Sequence, residues 1–291
     1  MIPTVFHGEA VSWSIVEGVL EVALHRAPCN EIGTTTLAEL EGLAELVSDP
    51  PAKAMLLYSR LESGFCAGAD LRELHAGLTG KAPAWIASIP SRRAQRWVGG
   101  ALRRGSAPIA RRGIRAFVDR IHAVFDAIDQ APMVTVGALH RVVFGGGLEL
   151  ALTCDVLVAD PGARLCLPEL RLGIIPGFGA VPRLNRDVGN TVVRDLLLTG
   201  RSLGARRAYE LGLVAHLSGP GKSLDLARSI ARQTTRFEPA AIRAAKALAK
   251  PLPRADLDRE KDLFCALVTS EATLHALQKF VNDTSARPYL P

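Results

Sequence analysis

The stretch from His140 to Pro176, HRVVFGGGLELALTCDVLVADPGARLCLPELRLGIIP, constrains the fold most, because it sets two carboxylates, Glu149 and Glu169, into an otherwise apolar run. Met133 to Leu139 before it reads as a buried strand, Gly145 to Gly147 as a turn, and GLELALTCD as a short helix. Three consecutive glycines cost backbone entropy, which close approach of a ligand to bare N–H groups would justify. The amides and the positive end of the helix dipole there suit an anion or a developing oxyanion. Glu149 falls in the first turn of that helix, where it also suits a purely structural role against the dipole. Glu169, behind Pro168 and among leucines, is placed to be partly desolvated.

With 291 residues the chain can bury a large core, and 48% hydrophobic with 22% charged residues is globular rather than disordered. The opening MIPTVFHGEAV lacks a basic segment followed by an apolar one, and no run approaches the ~18 apolar residues of a membrane span, so a cytoplasmic location without membrane contact is expected. Five scattered cysteines without a CxxC pair argue against a disulfide framework or a zinc site, and no metal is expected. The formal charge of +6 suits an anionic ligand without choosing between coenzyme A, an acidic carrier protein and RNA.

Val11 to His25 reads as a hairpin turning near Glu17 and Gly18, followed by a loop and a helix from about Thr36 to Val47 with threonines available as its cap. AMLLYS is a short strand leading into RLESGFCAGAD. Between Glu73 and Asp119 there is no acidic residue, while Lys81, Arg92, Arg93, Arg96, Arg103, Arg104, Arg111, Arg112 and Arg115 fall there. This basic insertion, at about 76–115, reads either as an anion-docking surface of short helical pieces over a pocket or as a solvated cationic face. Beyond about Ser218 the sequence is amphipathic and helical, with no further strand.

Three ordered motifs, Phe65 to Glu73 (FCAGADLRE), Phe144 to Asp155 (FGGGLELALTCD) and Pro168 to Gly179 (PELRLGIIPGFG), resemble the crotonase superfamily, the enoyl-CoA hydratases and isomerases. The likeness runs from about Val11 to about Leu217. It implies an α/β fold: a crotonase-like spiral of ββα units over 1–217, then a helical C-terminal oligomerisation region, 218–291, that builds a homotrimer or hexamer. It implies an oxyanion hole from the backbone N–H groups of Ala69 and Gly146, and catalysis by Glu149, which activates water, and Glu169, which exchanges the proton at the α-carbon. Arg26, Ala67, Gly68, Asp70, Gly145, Pro168 and Gly177 fall at substrate-binding positions; Arg26 is a candidate phosphate contact or a solvated loop arginine, and Asp70 reads more readily as a helix cap. The implied substrate is an acyl-CoA, with no separate cofactor. Hydration of an enoyl thioester is the leading expectation, because both glutamate positions are filled. The alternatives are a dehydratase or double-bond isomerase acting on coenzyme A or on an acyl carrier protein, an RNA-binding protein of the same fold, for which the sequence offers little, and a pseudoenzyme kept for assembly.

Overall fold

A computed structural model describes residues 3–79 and 107–283, without the side chains of 107–111. The arginines from Arg92 to Arg104, and the helical pieces expected over the pocket, lie outside the described residues. Strand β1 is Phe6–His7, and β2 (Val11–Val16) and β3 (Val19–Leu24) form the expected hairpin. Its two turn residues, Glu17 and Gly18, both have positive φ (51° and 79°), the backbone that matches strand twist in a two-residue hairpin. Helix α1 (Thr34–Ser48) buries Leu37, Leu40, Leu43 and Val47 at helical spacing. Its N-terminus is not capped by a threonine: Thr34 N–H donates to Glu73 Oε2 (2.8 Å), a carboxylate from the next helix.

Then follow β4 (Ala54–Ser59), β5 (Gly64–Cys66), α2 (Leu71–Leu78), α3 (Ala107–Asp129), β6 (Val134–Leu139), β7 (Val142–Phe144), α4 (Gly146–Ala151), β8 (Val156–Ala159) and β9 (Arg164–Cys166). A 3-10 turn (Glu169–Leu172) leads to α5 (Ala180–Val188), α6 (Asn190–Thr199), β10 (Leu203–Gly204), α7 (Ala205–Glu210) and β11 (His216–Leu217). Four helices close the described chain: α8 (Ser223–Thr234), α9 (Pro239–Ala249), α10 (Arg254–Leu267) and α11 (Glu271–Asn282).

The strands sort into a seven-stranded sheet, β1-β2-β3-β4-β6-β8-β11, and a four-stranded sheet, β10-β9-β7-β5. Each of the pairs β4/β5, β6/β7 and β8/β9 gives one strand to each sheet, which is the ββα spiral. Strand β4 shows why the large sheet needs cover on both faces: Met55 and Leu57 join the main core while Ala54 and Leu56 point the other way, all fully buried. That outer face, with Val19, Val136, Ala138 and Val158, is sealed by Ala227 and Ala231 of α8.

The core therefore does not close at Leu217. Helix α8 completes the sheet, and α10 adds Phe264, Cys265 and Val268 to the main core. The basic stretch also begins and ends inside helices, since α2 runs to Leu78 and α3 starts at Ala107. Arg115 is not uncompensated, because it pairs with Asp119 (3.2 Å) and with Asp262. All five cysteines are buried free thiols. Among the described residues no helix is long and apolar enough to cross a membrane.

Candidate active site

The glycine turn sits where β7 hands the chain to α4. Gly145 holds φ +50°, and a Cβ there would lie 2.8 Å from Glu169 Oε1; one on Gly147 would lie 2.2 Å from the carbonyl oxygen of Cys66. The β5 backbone thus excludes a side chain at Gly147, and the positive φ disfavours one at Gly145. A Cβ on Gly68 would stand 2.9 Å from Gly146 N, and one on Gly146 would stand 3.3 Å from Ala69 N, so the β5–α2 loop and the start of α4 abut. Among the described residues, neither the Ala69 nor the Gly146 N–H has an acceptor. Two bare amides meet at one place.

Glu149, 2% exposed, rises from the first turn of α4. Its Oε1 accepts from Phe178 N–H (2.7 Å) and Ala180 N–H (3.1 Å). Burial pushes its carboxyl up to about 7, against the pull of those amides and of Arg183. Glu169, on the 3-10 turn, is 8% exposed, and its Oε2 has no hydrogen-bond partner. Burial and then the charge of Glu149 raise it well above the usual carboxylate range. Two buried, raised acids thus meet in one site, an arrangement that can divide acid from base work.

Both glutamates line a cavity of about 400 Å³, together with Ala67, Ala69, Asp70, Gly145, Pro168 and Gly177. One part of its wall is apolar, from Ile114, Phe117, Val118, Leu172, Ile174 and Phe264; another carries Glu31, Asp70, Arg72 and Glu73. Gly68 and Gly146 stand behind the wall as backbone. Arg26 is not brought to it: its guanidinium donates to Glu31 O (2.7 Å) and to Asp70 Oδ2 (2.8 Å), bracing the loop instead of offering itself to a phosphate. Asp70 Oδ1 caps α2 by accepting from Arg72 and Glu73 N–H, both at 3.1 Å.

Sequence reasoning missed three groups. Glu260, 5% exposed on α10, accepts from Gly179 N–H (2.7 Å) and Val181 N–H (2.9 Å). Its signal was the stripe Leu257, Glu260 and Phe264, which puts an acid on the buried face of an amphipathic helix. Arg183 is fully buried, bonded to Asp129 and Asp126 at 2.7 Å each and, through Nη1, to Phe178 O (3.1 Å). His122 is driven down to about 4 by burial and so is neutral; its Nε2, 2.8 Å from Gly177 O, must carry the proton that this carbonyl accepts. His140, by contrast, sits with its Nε2 2.8 Å from Leu61 O, in the loop before β5.

A sequence profile of the enoyl-CoA hydratase/isomerase family matches residues 112–286. Among curated proteins, human enoyl-CoA hydratase domain-containing protein 2, mitochondrial, is 31% identical over 236 residues, covering 79% of this chain and 70% of that protein. Human methylglutaconyl-CoA hydratase, mitochondrial, is 29% identical over 239 residues, covering 79% and 60%. The chain spans 57% of the mouse form of the first relative and 70% of the human one. Two solved structures share the fold: an enoyl-CoA hydratase/isomerase from Mycobacterium paratuberculosis (TM-score 0.74, 18% identity, 96% of this chain and 99% of that one) and an enoyl-CoA hydratase from Bacillus halodurans (TM-score 0.74, 21%, 92% and 99%). The mitochondrial names of both human relatives overturn the cytoplasmic expectation.

Proposed function

Because the chain belongs to the enoyl-CoA hydratase/isomerase family, we propose that it adds water across the 2,3 double bond of an enoyl thioester. The observation that carries this is that two carboxyls, Glu149 and Glu169, line one cavity with Ala69, whose bare amide abuts the bare amide of Gly146 just behind the wall. In this reading the thioester carbonyl accepts from both amides, which stabilise negative charge on its oxygen as water adds at the β-carbon. Loss of one such donor in an acyl-transfer enzyme costs roughly 3 kcal/mol of barrier, which sets the scale. Glu149 keeps Oε1 on the Phe178 and Ala180 amides and uses Oε2 to take a proton from water. The water oxygen bonds to the β-carbon, the π electrons move toward the carbonyl, and the α-carbon takes a proton from Glu169. Glu169 suits the acid because burial and the charge of Glu149 favour its protonated form, and Glu149 suits the base because it titrates near 7 and is part-ionised at neutral pH. Proton transfer and amide donors supply the chemistry, so the reading calls for no cofactor beyond the acyl handle.

The apolar part of the wall suits a hydrocarbon acyl chain, and the exposed Leu248 of α9 and Leu263 of α10 suit assembly into a trimer or hexamer. The test is turnover of a panel of enoyl thioesters, on coenzyme A, on a carrier protein and on bare pantetheine, with products identified by mass. A gain of one water supports the proposal. Migration of the double bond without mass change, surviving Glu149→Gln, would replace it with a one-carboxylate isomerase.

A further inference from the structure

The N-terminus of α5 offers four successive amides, and two buried glutamates from different parts of the chain take them alternately. Phe178 and Ala180 N–H donate to Glu149; Gly179 and Val181 N–H donate to Glu260. A helix start satisfied by one capping side chain is ordinary. Two carboxyls interleaved on one run of amides, both buried in protein and one of them facing the cavity, is a different object. The alternation binds them mechanically, since displacing Glu260 shifts the peptide planes that hold Glu149. It also brings their charges together in a region of few counter-charges.

We propose that Glu260 is a positioning residue for the reaction: it fixes the Phe178–Val181 backbone on which Glu149 rests, and its carboxyl, sharing those amides, sets how firmly Glu149 holds a proton. Glu260 does not line the cavity, so it acts through Glu149 and not on the substrate. The proposal rests on the hydratase reading for its kinetic consequence only; the linkage of the two carboxyls stands independently of what is turned over.

Among the described residues, the charged and titratable surroundings are few. Glu169 adds a third carboxyl from the 3-10 turn, and Glu149 is the charge that weighs most on Glu260, after burial. Arg183 of α5 is the near cation, and it is already shared with Asp126 and Asp129 of α3. His122, also on α3, is neutral and faces the Gly177 carbonyl. Lys261, next to Glu260 on α10, turns to Asp119 (2.9 Å) and Asp258 (3.2 Å). Repulsion within the carboxyl cluster is thus only partly offset. Both oxygens of Glu260 are occupied as acceptors, which favours its ionised form, while burial and Glu149 oppose it.

The test is the pH profile of kcat/KM for wild type and Glu260→Gln, with thermal unfolding measured alongside. Removing a carboxyl that competes with Glu149 to ionise makes Glu149 easier to deprotonate, so the acidic limb should move down by about one pH unit, with KM changed less than about twofold. An unmoved limb with a lowered melting temperature would make Glu260 a structural cap and overturn the proposal. If the variant does not fold, wild-type protein labelled with 13C at the glutamate carboxyls is titrated by NMR. The proposal expects Glu149 and Glu260 to follow linked, biphasic curves; two independent single-step curves would overturn it, whatever the substrate panel shows.

Discussion

Two clusters of acids lie on either side of Arg183, and their deeply buried members have opposite chemistry. On one side Asp126, Asp129 and Asp155 meet Arg183, Arg186, Lys246 and Lys250, with contacts such as Lys246 to Asp155 at 2.8 Å. Burial raises Asp129, yet the cations of Lys250, Arg183 and Arg186 outweigh it and hold its carboxyl below the usual range. On the other side Glu149, Glu169 and Glu260 are equally buried with Arg183 as the nearby counter-charge, and all three are raised. Asp129 is as deeply buried as the glutamates but better supplied with cations, whereas half-buried Asp126, held chiefly by Arg183, is still raised by burial. A paired acid braces the fold, whereas an acid left short of partners is held ready to exchange a proton.

The most severe way to break this contrast is Asp129→Asn, which strands Arg183, Arg186 and Lys250 without their shared anion. It should cost about 3–5 kcal/mol in urea denaturation, and a loss below about 1 kcal/mol would mean that the two clusters are alike. Next is pH. Glu149 is raised in the folded protein from 4.5 to about 7, so the stability it carries is complete below pH 4.5 and declines as pH rises through 7. The loss from that one group is roughly 3 kcal/mol. Asp129, held low, works in the other direction: its contribution is present above the ordinary aspartate range and lost on acidification. Chemical denaturation from pH 3 to 9 should therefore show stability falling on both sides of about pH 5, and a flat profile between pH 5 and 8 would refute the unpaired state of Glu149.

A comparable effect appears in rate. Glu149→Gln and Glu169→Gln should each lower kcat by roughly 100-fold or more while leaving unfolding at pH 4, where Glu149 is neutral folded and unfolded, unchanged. Variants that lose folding in step with activity would move these glutamates into the bracing class. The smallest effect sharpens the comparison from outside both clusters: Arg26→Gln, at a half-buried pair, should cost about 0.5–1 kcal/mol and leave KM for the thioester within threefold. A tenfold rise in KM would restore Arg26 as a phosphate contact.

What could be read in the sequence follows from range. Gly145 to Gly147, Glu149 and Glu169 carry their chemistry in local spacing, and the hairpin at Glu17 and Gly18 and the helix after Gly33 are equally local. The spiral of ββα units was legible through the three ordered motifs. Glu260 was not, because it is brought to Glu149 from more than a hundred residues away by the packing of α10. The cap of α1 was misread for the same reason: Glu73 reaches Thr34 across 39 residues. Arg26 looked available to a ligand until Asp70, 44 residues on, was found beside it. The core looked closed at Leu217 because the strands end there, although strands buried on both faces demand a cover that the sequence supplies only later.

That late cover has a consequence for synthesis on the ribosome. Val19, Ala54, Leu56, Val136, Ala138 and Val158 emerge early, yet the side chains that seal them, Ala227 and Ala231, come more than sixty residues after the last of these strands. Arg228 pairs with Glu21 (2.6 Å) and Arg232 with Glu17 (3.0 Å), so α8 also clips onto the first hairpin to be made. A nascent chain halted before α8 carries one naked, sticky sheet face into the crowded cytosol or organelle. That face stays open until residue 234 has left the tunnel and α8 can close over it.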